Sequence, residues 1–366
     1  MIKIGMVGVG DISGIYLENI THVFKEMKLV AVCDLVKERA VNAQNKYNVP
    51  KLYATMYEMF ADPEIDLVLN LTRPYEHYAV SKAALLAGKH VYCEKPLGAS
   101  LAEGRELVQI AKDKNLMLGG APDTFLGAGI QTCRRIVDSG MIGTPIGAAA
   151  FMICRGHETW HHDPEFYYKF GGGPMFDMGP YYLTAMTNLL GAVRSVTGVV
   201  KKTFDKRLIT SQPFAGTVID VDVPTYITGI MEMDNNVIAT LFTTFDVMYP
   251  GQARFEVYGS EGTLYVPDPN SFGGPVQLFR REDGALREMP LMFDYKDNSR
   301  ALGLADMAKS IETGRPARVS FKQTLHVLEV MEAFTTSSEK RKPVKIESKF
   351  TRELPMKNNP MRGILD

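Results

Sequence analysis

The 366-residue chain lacks several features that would mark a specialised class of protein. It has four cysteines and no pair of them at the Cys-x-x-Cys spacing of redox and zinc motifs. Its formal net charge of -1 gives no electrostatic reason to bind nucleic acid or an anionic membrane. No apolar run is long enough to cross a bilayer, and no signal peptide is visible before the first strand pattern at Ile2. These absences favour a reducing compartment, and we expect a cytoplasmic protein.

The first 120 residues alternate strand and helix patterns, which is typical of a doubly wound parallel sheet. In such a sheet the ligand binds beyond the carboxyl ends of the strands, where the strand order reverses. The predicted strands are 2–7, 29–34, 67–71, 90–93 and 117–119, and the predicted helices are 12–27, 36–46, 55–61, 75–87 and 100–114.

Beyond residue 121 the pattern changes to longer runs of β-branched and apolar residues joined by short turns. Consecutive hairpins of this kind predict an open antiparallel sheet. We therefore predict an α/β protein with an N-terminal Rossmann domain at 1–122 and a C-terminal α/β domain at 123–366 for substrate binding and oligomerisation. The last segment, 340–366, is expected to run along the surface. The predicted strands are 146–154, 193–203, 225–233, 237–245, 254–258 and 263–266, and helices are predicted at 127–139, 181–190, 301–313 and 321–338.

A glycine-rich turn, Gly8-Val9-Gly10-Asp11-Ile12-Ser13-Gly14, follows the first predicted strand and opens a helix. Gly8 and Gly10 allow the backbone to approach a pyrophosphate at the helix N-terminus. Asp34 ends the second predicted strand, where a carboxylate accepts ribose hydroxyls and repels a 2′-phosphate. The pair predicts a dinucleotide site that prefers NAD to NADP, with Arg39 close by. The alternative for the glycine-rich turn is an ordinary strand–turn–helix unit that binds no cofactor. The alternative for Asp34 is an aspartate that only ends a strand in a turn.

The chain resembles the glucose–fructose oxidoreductase/inositol dehydrogenase/MocA family over its whole length. The resemblance implies a Rossmann domain, an open sheet used in oligomer contacts and a nicotinamide cofactor. The motifs that carry it are Gly8-Val9-Gly10, Asp34, residues 72–77, Gly88-Lys89-His90-Val91-Tyr92-Cys93-Glu94-Lys95-Pro96 and residues 171–181. The predicted cofactor contacts are Gly8, Gly10, Asp11, Ile12, Asp34, Arg39, Thr72, Arg73, His77, Glu94 and Lys95.

The sequence departs from the usual family pattern at three places. Thr72-Arg73-Pro74 stands where a Thr-Pro-Asn turn is usual, and Pro122-Asp123-Thr124-Phe125 replaces an Asn-x-Arg segment. Tyr181 stands where many members have histidine, as it does in the glucose–fructose oxidoreductase and dihydrodiol dehydrogenase branches. These differences leave the reaction class in place and argue against inositol as the substrate.

By resemblance, Lys95, Asp177 and Tyr181 occupy the catalytic positions of the family. Burial of Lys95 would lower the pKa of its ammonium group and make it a proton carrier near neutral pH. Tyr181 is the second candidate proton carrier, and Asp177 would orient Lys95 or bind a substrate hydroxyl. The alternatives are a solvated loop lysine, an Asp177 that only caps a helix, and a Tyr181 that only packs.

Residues 155–163 form a polar and aromatic segment that contains the single tryptophan of the chain. Aromatic faces stack on sugar rings, so we predict a substrate loop. One alternative is an exposed polar loop without a binding role. Another is a metal site, because His157 and His161 have the helical spacing of two ligands. We expect no metal. The predicted substrate contacts are Arg155, His157, Trp160, His161, Asp123 and Thr124.

These features together predict an NAD(H)-dependent oxidoreductase that acts on a secondary hydroxyl of a sugar, polyol or glycoside. The segment 122–125 and the Trp160-His161-His162 cluster resemble a branch of the family that oxidises C3 of glucosides. The alternatives are a dihydrodiol- or xylose-type dehydrogenase and a non-catalytic NAD-sensing regulator on the same fold. We expect a homo-oligomer formed through the C-terminal sheet.

Overall fold

The structure, a computed structural model, describes residues 1–248, 254–357 and 362–366. Its N-terminal half contains six parallel strands in the order β3-β2-β1-β4-β5-β6, so the order reverses on the two sides of β1. The strands are β1 (Ile2–Val7), β2 (Met27–Cys33), β3 (Lys51–Leu52), β4 (Leu67–Asn70), β5 (His90–Cys93) and β6 (Leu118–Gly120). The helices are α1 (Ser13–His22), α2 (Lys37–Tyr47), α3 (Met56–Ala61), α4 (His77–Leu86) and α5 (Leu101–Asp113), with α6 (Ala128–Asp138) following β6.

The central strands are mostly apolar because helices cover both faces of the sheet. Every residue of β4 is buried, and only one residue of β1 is not. Local signals fix several helix ends. Thr55 and Glu58 form a capping box at the start of α3, and Asn48 ends α2 in the left-handed conformation with φ 52°.

The C-terminal half is built around a nine-stranded sheet in the order β16-β15-β14-β13-β7-β12-β11-β8-β17, and β9 and β10 pair separately. All neighbouring strands in this sheet are antiparallel except β7 and β12. The strands are β7 (Pro145–Ile153), β8 (Val193–Lys201), β9 (Lys206–Leu208), β10 (Val218–Asp220), β11 (Tyr226–Met233), β12 (Ile238–Thr244), β13 (Arg254–Gly259), β14 (Gly262–Tyr265), β15 (Val276–Arg280), β16 (Ala285–Met289) and β17 (Val344–Lys345). The helices are α7 (Gly173–Asp177), α8 (Gly179–Leu190), α9 (Leu302–Thr313) and α10 (Phe321–Lys340).

Helices cover one face of the nine-stranded sheet, with α8 against β7 and α10 against β8 and β11. The other face carries exposed apolar side chains from four strands, Ile146, Val199, Ile230 and Ile238. The alternation of buried and exposed residues along β8 and β11 reflects this one-sided cover. The predicted fold class, a doubly wound parallel sheet followed by an open and mostly antiparallel one, is confirmed.

The two halves are joined by more than the connection near residue 122. Helix α9 packs against β1 and β6, and Gly119 of β6 forms a bridge to Ser320. A Cβ atom on Gly119 would lie 2.1 Å from the Val319 carbonyl oxygen, so only glycine allows this approach. The boundary at 122/123 therefore separates the two sheets but not all of their helices, and it stays a prediction.

The predicted surface course of residues 340–366 holds only in part for the described residues of that segment, because a few buried apolar side chains anchor it. Ile346, Phe350, Met356 and Leu365 are buried. The Leu365 amide donates to Glu26 Oε1 at 2.6 Å, which fixes the tail against the N-terminal half. Apolar residues spaced widely along a basic and proline-containing segment are a weak signal of burial. The sequence patterns also missed β3, β9, β10, β15, β16 and β17.

Candidate active site

The turn between β1 and α1 has the geometry of a phosphate cradle. Gly8 has a φ of 93°, and a Cβ atom there would lie 2.8 Å from the Leu71 backbone, so the fold itself requires this glycine. A Cβ atom on Gly10 would meet no atom within 4 Å. No side chain caps the N-terminus of α1 at Ile12, and Asp11 is exposed. The turn therefore leaves open space and a helix N-terminus for an anion.

Asp34 organises this turn from the end of β2. Its Oδ2 accepts a hydrogen bond from the Val9 amide at 2.6 Å, and its Oδ1 accepts one from the Val36 amide at 2.7 Å. A carboxylate has about four acceptor positions, so two remain for hydroxyl donors. The half-buried carboxylate thus fits the adenosine ribose of NAD, and Arg39 lies exposed in the first turn of α2.

Two loops meet at the carboxyl ends of β4 and β5. The fully buried Asn70 accepts from the Thr72 hydroxyl at 2.6 Å and fixes the turn after β4. His77 is 1% exposed, with Nδ1 at 2.7 Å from the Pro96 carbonyl and Nε2 at 3.0 Å from the Thr72 carbonyl. His77 therefore connects the two loops, and its side chain has almost no accessible surface that a dinucleotide could contact. The prediction of a direct cofactor contact by His77 is corrected to a supporting role.

Lys95 and Asp177 bring the two halves of the molecule together. The Lys95 Nζ atom donates to the Asp177 carbonyl at 2.6 Å and to Asp177 Oδ1 at 2.9 Å. The two side chains are 16% and 13% exposed. Asp177 ends α7, and no side chain caps α8 at Met178, so Asp177 is not a helix cap. Lys95 is likewise not a solvated loop lysine.

The predicted direction of the Lys95 pKa was wrong. Burial acts to lower the pKa of the ammonium group, but the negative charge of Asp177, with Tyr181 and Glu94, outweighs it and raises the pKa above its ordinary value. Local sequence shows the buried strand that precedes Lys95. It does not show that the charge of Asp177, 82 positions away, outweighs the effect of that burial on the pKa.

Tyr181 lies beneath Lys95 near the start of α8. The Nζ atom of Lys95 is 5.2 Å from the centre of its ring, and Tyr181 is 7% exposed. Burial raises the pKa of the Tyr181 hydroxyl, while the positive charges of Lys95 and Arg300 act in the opposite direction. The structure thus brings Lys95, Asp177 and Tyr181 together, as the sequence motifs predicted.

His157 lies on the far side of Asp177 from Lys95. Its Nε2 atom is 3.4 Å from Asp177 Oδ2, and its ring stacks on Tyr167 with centroids 3.8 Å apart. His157 is 9% exposed, and burial lowers the pKa of its imidazole. A side chain so placed offers little free surface to a substrate, and its role as a direct substrate contact stays a prediction.

The later part of the 155–163 segment is more exposed than His157. Trp160 is 64% exposed and flanks the His161 ring at 5.3 Å, and Arg155 is exposed at the start of the segment. These side chains offer an aromatic face and hydrogen-bonding groups, and the Trp160 ring lies 5.3 Å from the His157 ring. The role of this segment as a substrate loop stays a prediction.

The same segment reaches the N-terminal half at two points that the sequence did not reveal. Asp163 accepts from Arg73 Nη2 at 2.6 Å, and His162 Nε2 lies 3.6 Å from Asp11 Oδ2. Arg73 follows β4 and Asp11 follows β1, so the segment passes over the point where the strand order reverses. Both pairs are partly or largely exposed, which limits their strength.

Three further predicted contacts are buried below the cleft. Glu94 is 8% exposed and accepts from the Tyr16 hydroxyl at 2.8 Å and from the Lys95 amide at 2.9 Å. Asp123 and Thr124 are each 1% exposed, and Asp123 Oδ2 accepts from the Gly303 amide at 3.0 Å. Burial raises the pKa of the Asp123 carboxyl to about 6. These side chains support the site, and the prediction of direct substrate contacts for Asp123 and Thr124 is corrected.

One cluster in the described residues has the composition of a metal site, namely Asp11, His161 and His162, whose ligand atoms lie within 4.8 Å of one another. However, His161 Nδ1 accepts the Asp163 amide at 3.0 Å. That bond occupies Nδ1 and leaves the proton of the neutral ring on Nε2. His161 would have to lose the hydrogen bond to Asp163 in order to bind a metal through either nitrogen. His157, which has helical spacing from His161, is not part of this cluster and lies near Asp177. The expected absence of metal stays a prediction.

The sequence patterns missed Arg300 and Tyr167. Arg300 precedes α9 and interacts with Tyr181, and its guanidinium donates to Asn270 and Asn298 at 2.8 Å each. Neither residue stands in a motif or a periodic pattern.

Among the described residues, no helix combines the length and hydrophobicity needed to span a membrane.

Comparisons with known proteins agree with this architecture. Residues 2–120 match the model of the Gfo/Idh/MocA oxidoreductase family with an NAD-binding Rossmann fold, and residues 130–265 match the C-terminal domain of the same family. Myo-inositol 2-dehydrogenase of Thermotoga maritima is 23% identical, over 94% of this chain and 98% of its own. The scyllo-inositol 2-dehydrogenase (NAD(+)) of Bacillus subtilis is 25% identical, over 95% and 97%.

Among solved structures, levoglucosan dehydrogenase in complex with NADH and L-sorbose has a similar fold, with a TM-score of 0.82 at 18% identity. The match covers 95% of this chain and 99% of that one. Both halves of the fold, the glycine turn with Asp34 and the two matched family models thus agree, and the chain belongs to the Gfo/Idh/MocA family of NAD-binding oxidoreductases.

Proposed function

We propose that the protein is an NAD(H)-dependent oxidoreductase that transfers a hydride to or from the secondary hydroxyl carbon of a sugar, polyol or glycoside. The observation that carries this proposal is the contact of Lys95 with Asp177 at the carboxyl edge of the Rossmann sheet. It supplies an oriented proton donor beside the position where this fold binds a nicotinamide. A non-catalytic NAD-sensing protein has no need of such a pair.

The cofactor site consists of Gly8, Gly10 and Ile12 for the pyrophosphate and Asp34 for the adenosine ribose. Thr72, Arg73 and the backbone of the Lys95 loop lie on the path to the nicotinamide. NAD supplies the hydride chemistry when it is bound, and the protein supplies position and field. The negative charge of Asp34 favours NAD over a cofactor with a 2′-phosphate.

Lys95 is the proton carrier in this proposal. Two hydrogen bonds to Asp177 hold its ammonium group, and the third N–H is free to point at a substrate oxygen. Tyr181 lies under the same nitrogen, where its ring stabilises the ammonium group or its hydroxyl relays the proton. Because the pKa values of both groups are raised, each carries a proton at neutral pH. The resting site is therefore set to donate a proton to a carbonyl oxygen.

The substrate class follows from the mouth of the cleft. The exposed Trp160 provides an aromatic face of the kind that stacks on a sugar ring, with His161 and Arg155 beside it. Inositol and levoglucosan dehydrogenases are similar in sequence or fold and fit this class. Within it, a glucoside oxidised at C3 is the specific substrate that we propose, and a dihydrodiol or xylose is the alternative.

We further propose a homo-oligomer that covers the open face of the nine-stranded sheet. Its support is the exposed set Ile146, Val199, Ile230 and Ile238, spread over four neighbouring strands. The cytoplasm is the proposed location, because all four cysteines are free and three of them are buried.

The function is tested by a screen of sugars, polyols and glucosides with NAD. The readout combines NADH absorbance with mass spectrometry of the products, because a cofactor recycled in place gives no net absorbance. A keto-sugar formed at a secondary carbon supports the proposal. Absence of any oxidised or reduced carbohydrate across the panel, with NAD shown to be bound, contradicts it.

On the substrate found in this screen, Lys95→Met should lower turnover by roughly 10²–10⁴-fold, the usual contribution of a positioned acid or base. The affinity for NAD should stay near that of the unmodified protein. The matched control is Lys82→Met on helix α4. It removes another ion pair, in which Lys82 Nζ lies 2.6 Å from Glu106 Oε1, and it should leave turnover unchanged. Equal turnover in Lys95→Met, in protein shown to be folded at the assay temperature, would exclude Lys95 as the proton carrier.

The two directions of the reaction should differ in their pH dependence. Reduction needs the Lys95 ammonium, which persists above the ordinary lysine pKa of about 10.4, so its rate should not rise with pH. Oxidation needs the neutral amine, so its rate should rise by up to tenfold per unit between about pH 7 and pH 9. Initial rates in both directions, measured in one buffer series, check this. An oxidation rate that is flat over this interval would contradict the raised pKa.

The cofactor preference should depend on the charge of Asp34. Asp34→Asn keeps an acceptor for one backbone amide and removes the repulsion of a 2′-phosphate, so the ratio of NADP to NAD affinity should rise by about tenfold or more. Asp34→Ser should have the same direction of effect with a greater loss of turn stability, because the hydrogen bonds to Val9 and Val36 are weakened. Isothermal titration gives both affinities. A preference of the unmodified protein for NADP would refute the assignment.

The space beside Gly10 gives a separate test of the phosphate position. Gly10→Ala adds a methyl group that meets no protein atom, so the melting temperature without cofactor should not change. NAD affinity should fall by about tenfold or more if the pyrophosphate approaches this backbone. Gly14→Ala is the control, because its Cβ also meets no atom and the residue is exposed on α1. Equal NAD affinity in the two variants would place the pyrophosphate elsewhere.

A further inference from the structure

His157 contains a buried polar atom without a partner. Its Nδ1 is inaccessible to solvent and makes no hydrogen bond among the described residues. Such an atom costs about 1–3 kcal/mol relative to a satisfied one, and few are found in folded proteins. An apolar side chain of similar shape would avoid that cost, so the imidazole calls for an explanation beyond packing.

The ring of His157 is held by aromatic side chains on several sides. It stacks on Tyr167 at an interplanar angle of 13° and meets the edge of Phe245 at 4.7 Å and Trp160 at 5.3 Å. These contacts restrict rotation about both side-chain torsions. The direction of Nε2 is thereby set by the protein before any substrate binds.

The backbone of His157 is fixed as well. Gly156 has a φ of 94°, and a Cβ atom there would lie 2.4 Å from Glu158 Oε2 and from the Tyr168 hydroxyl. Glu158 is buried and binds Tyr168 and Arg207, and the His157 amide donates to the Tyr168 hydroxyl at 3.3 Å. The first residues of the 155–163 segment therefore form a rigid support, in contrast to the exposed Trp160.

One carboxylate oxygen lies close to the fixed imidazole. Asp177 uses Oδ1 for Lys95 at 2.9 Å, and His157 Nε2 lies 3.4 Å from the other oxygen, Oδ2. If the proton were on Nδ1, a buried donor would lack an acceptor and the Nε2 lone pair would face a carboxylate. With the proton on Nε2, the ring can donate to Oδ2, and only a lone pair is left without a partner. The second arrangement has the lower energy.

We propose that His157 is a positioning residue for Asp177, which holds Oδ2 through its Nε2–H and so keeps Oδ1 on Lys95. This inference rests on the proposed function and adds a third member to the Lys95–Asp177 pair. The distance of 3.4 Å is long for a hydrogen bond, and such contacts tighten when a substrate completes the site.

The charges around the ring are consistent with a neutral donor. Asp177 and Glu158 favour an imidazolium, Lys95 and His161 oppose it, and burial opposes it more strongly, so the pKa of His157 is lowered. A neutral His157 leaves the net charge of the Lys95–Asp177 pair unchanged. It can therefore orient the carboxylate without removing the charge that holds Lys95.

Two variants separate orientation from packing and from substrate binding. His157→Phe keeps the aromatic stack and removes the donor, so turnover should fall by about 10–100-fold, as for other supporting groups, with the substrate KM nearly unchanged. His157→Gln restores an N–H near the position of Nε2 and should recover most of that loss. Unchanged turnover in His157→Phe overturns the proposal. A raised KM with unchanged turnover also overturns it and would make His157 a substrate contact.

A second readout needs no substrate. In protein labelled with ¹⁵N-histidine, long-range ¹H–¹⁵N spectra should show His157 as the neutral Nε2–H tautomer between about pH 6 and pH 8. The His157→Gln spectrum identifies the signal, and Asp177→Asn should shift it. An Nδ1–H tautomer or an imidazolium at pH 7 overturns the proposal. If the carbohydrate screen fails while this tautomer is found, the proposed function fails and the His157–Asp177 contact stands.

Discussion

The contact between Lys95 and Asp177 is the interaction on which the rest of the site depends. Both charges are largely buried, and a buried ion whose partner is removed costs several kcal/mol, so neither residue can be left alone. Lys95 follows a strand of the Rossmann sheet, whereas Asp177 ends a helix of the second half. The cleft therefore acquires its charge pattern only when the two halves are packed together. The bridge from Gly119 to Ser320 and the return of the tail to Glu26 support that arrangement.

This constraint also sets the protonation of the site. Asp177 raises the pKa of Lys95 against the effect of burial, and Tyr181 beneath it stays protonated. The groups that surround the reacting position are thus an ammonium, a phenol and a neutral imidazole. Such a set donates protons readily and accepts them only at the cost of breaking an ion pair. The exposed Trp160 and the buried His157 divide the same short segment into a part that is open to solvent and a part that lies against Asp177.

Much of this could be predicted from the sequence, because the signals are local. The alternating apolar runs gave the parallel sheet, and Gly8, Gly10 and Asp34 stand at fixed offsets around a strand–turn–helix unit. The Glu94-Lys95-Pro96 string and the 171–181 turn located the cluster of Lys95, Asp177 and Tyr181 that we propose as the catalytic centre. What failed depends on contacts distant in sequence. The pKa of Lys95 depends on Asp177, the burial of His77 and Asp123 depends on the Pro96 and Gly303 backbones, and the contacts of Arg73 and Asp11 cross between halves. A motif shows which residues are present at a site, but not which of them face the ligand.

The central claim is that hydride passes between a nicotinamide and a carbinol carbon whose oxygen meets Lys95. The most direct measurement is a single turnover of a keto-sugar with NADH deuterated at C4, prepared separately on each face of the ring. Mass spectrometry and NMR then locate the label in the product. The account predicts one deuterium on the new carbinol carbon, from one face of the nicotinamide only, and a transfer of label that is roughly 10²–10⁴-fold slower when Lys95 is replaced by methionine. A reduced product without deuterium, or with label from both faces, would contradict it.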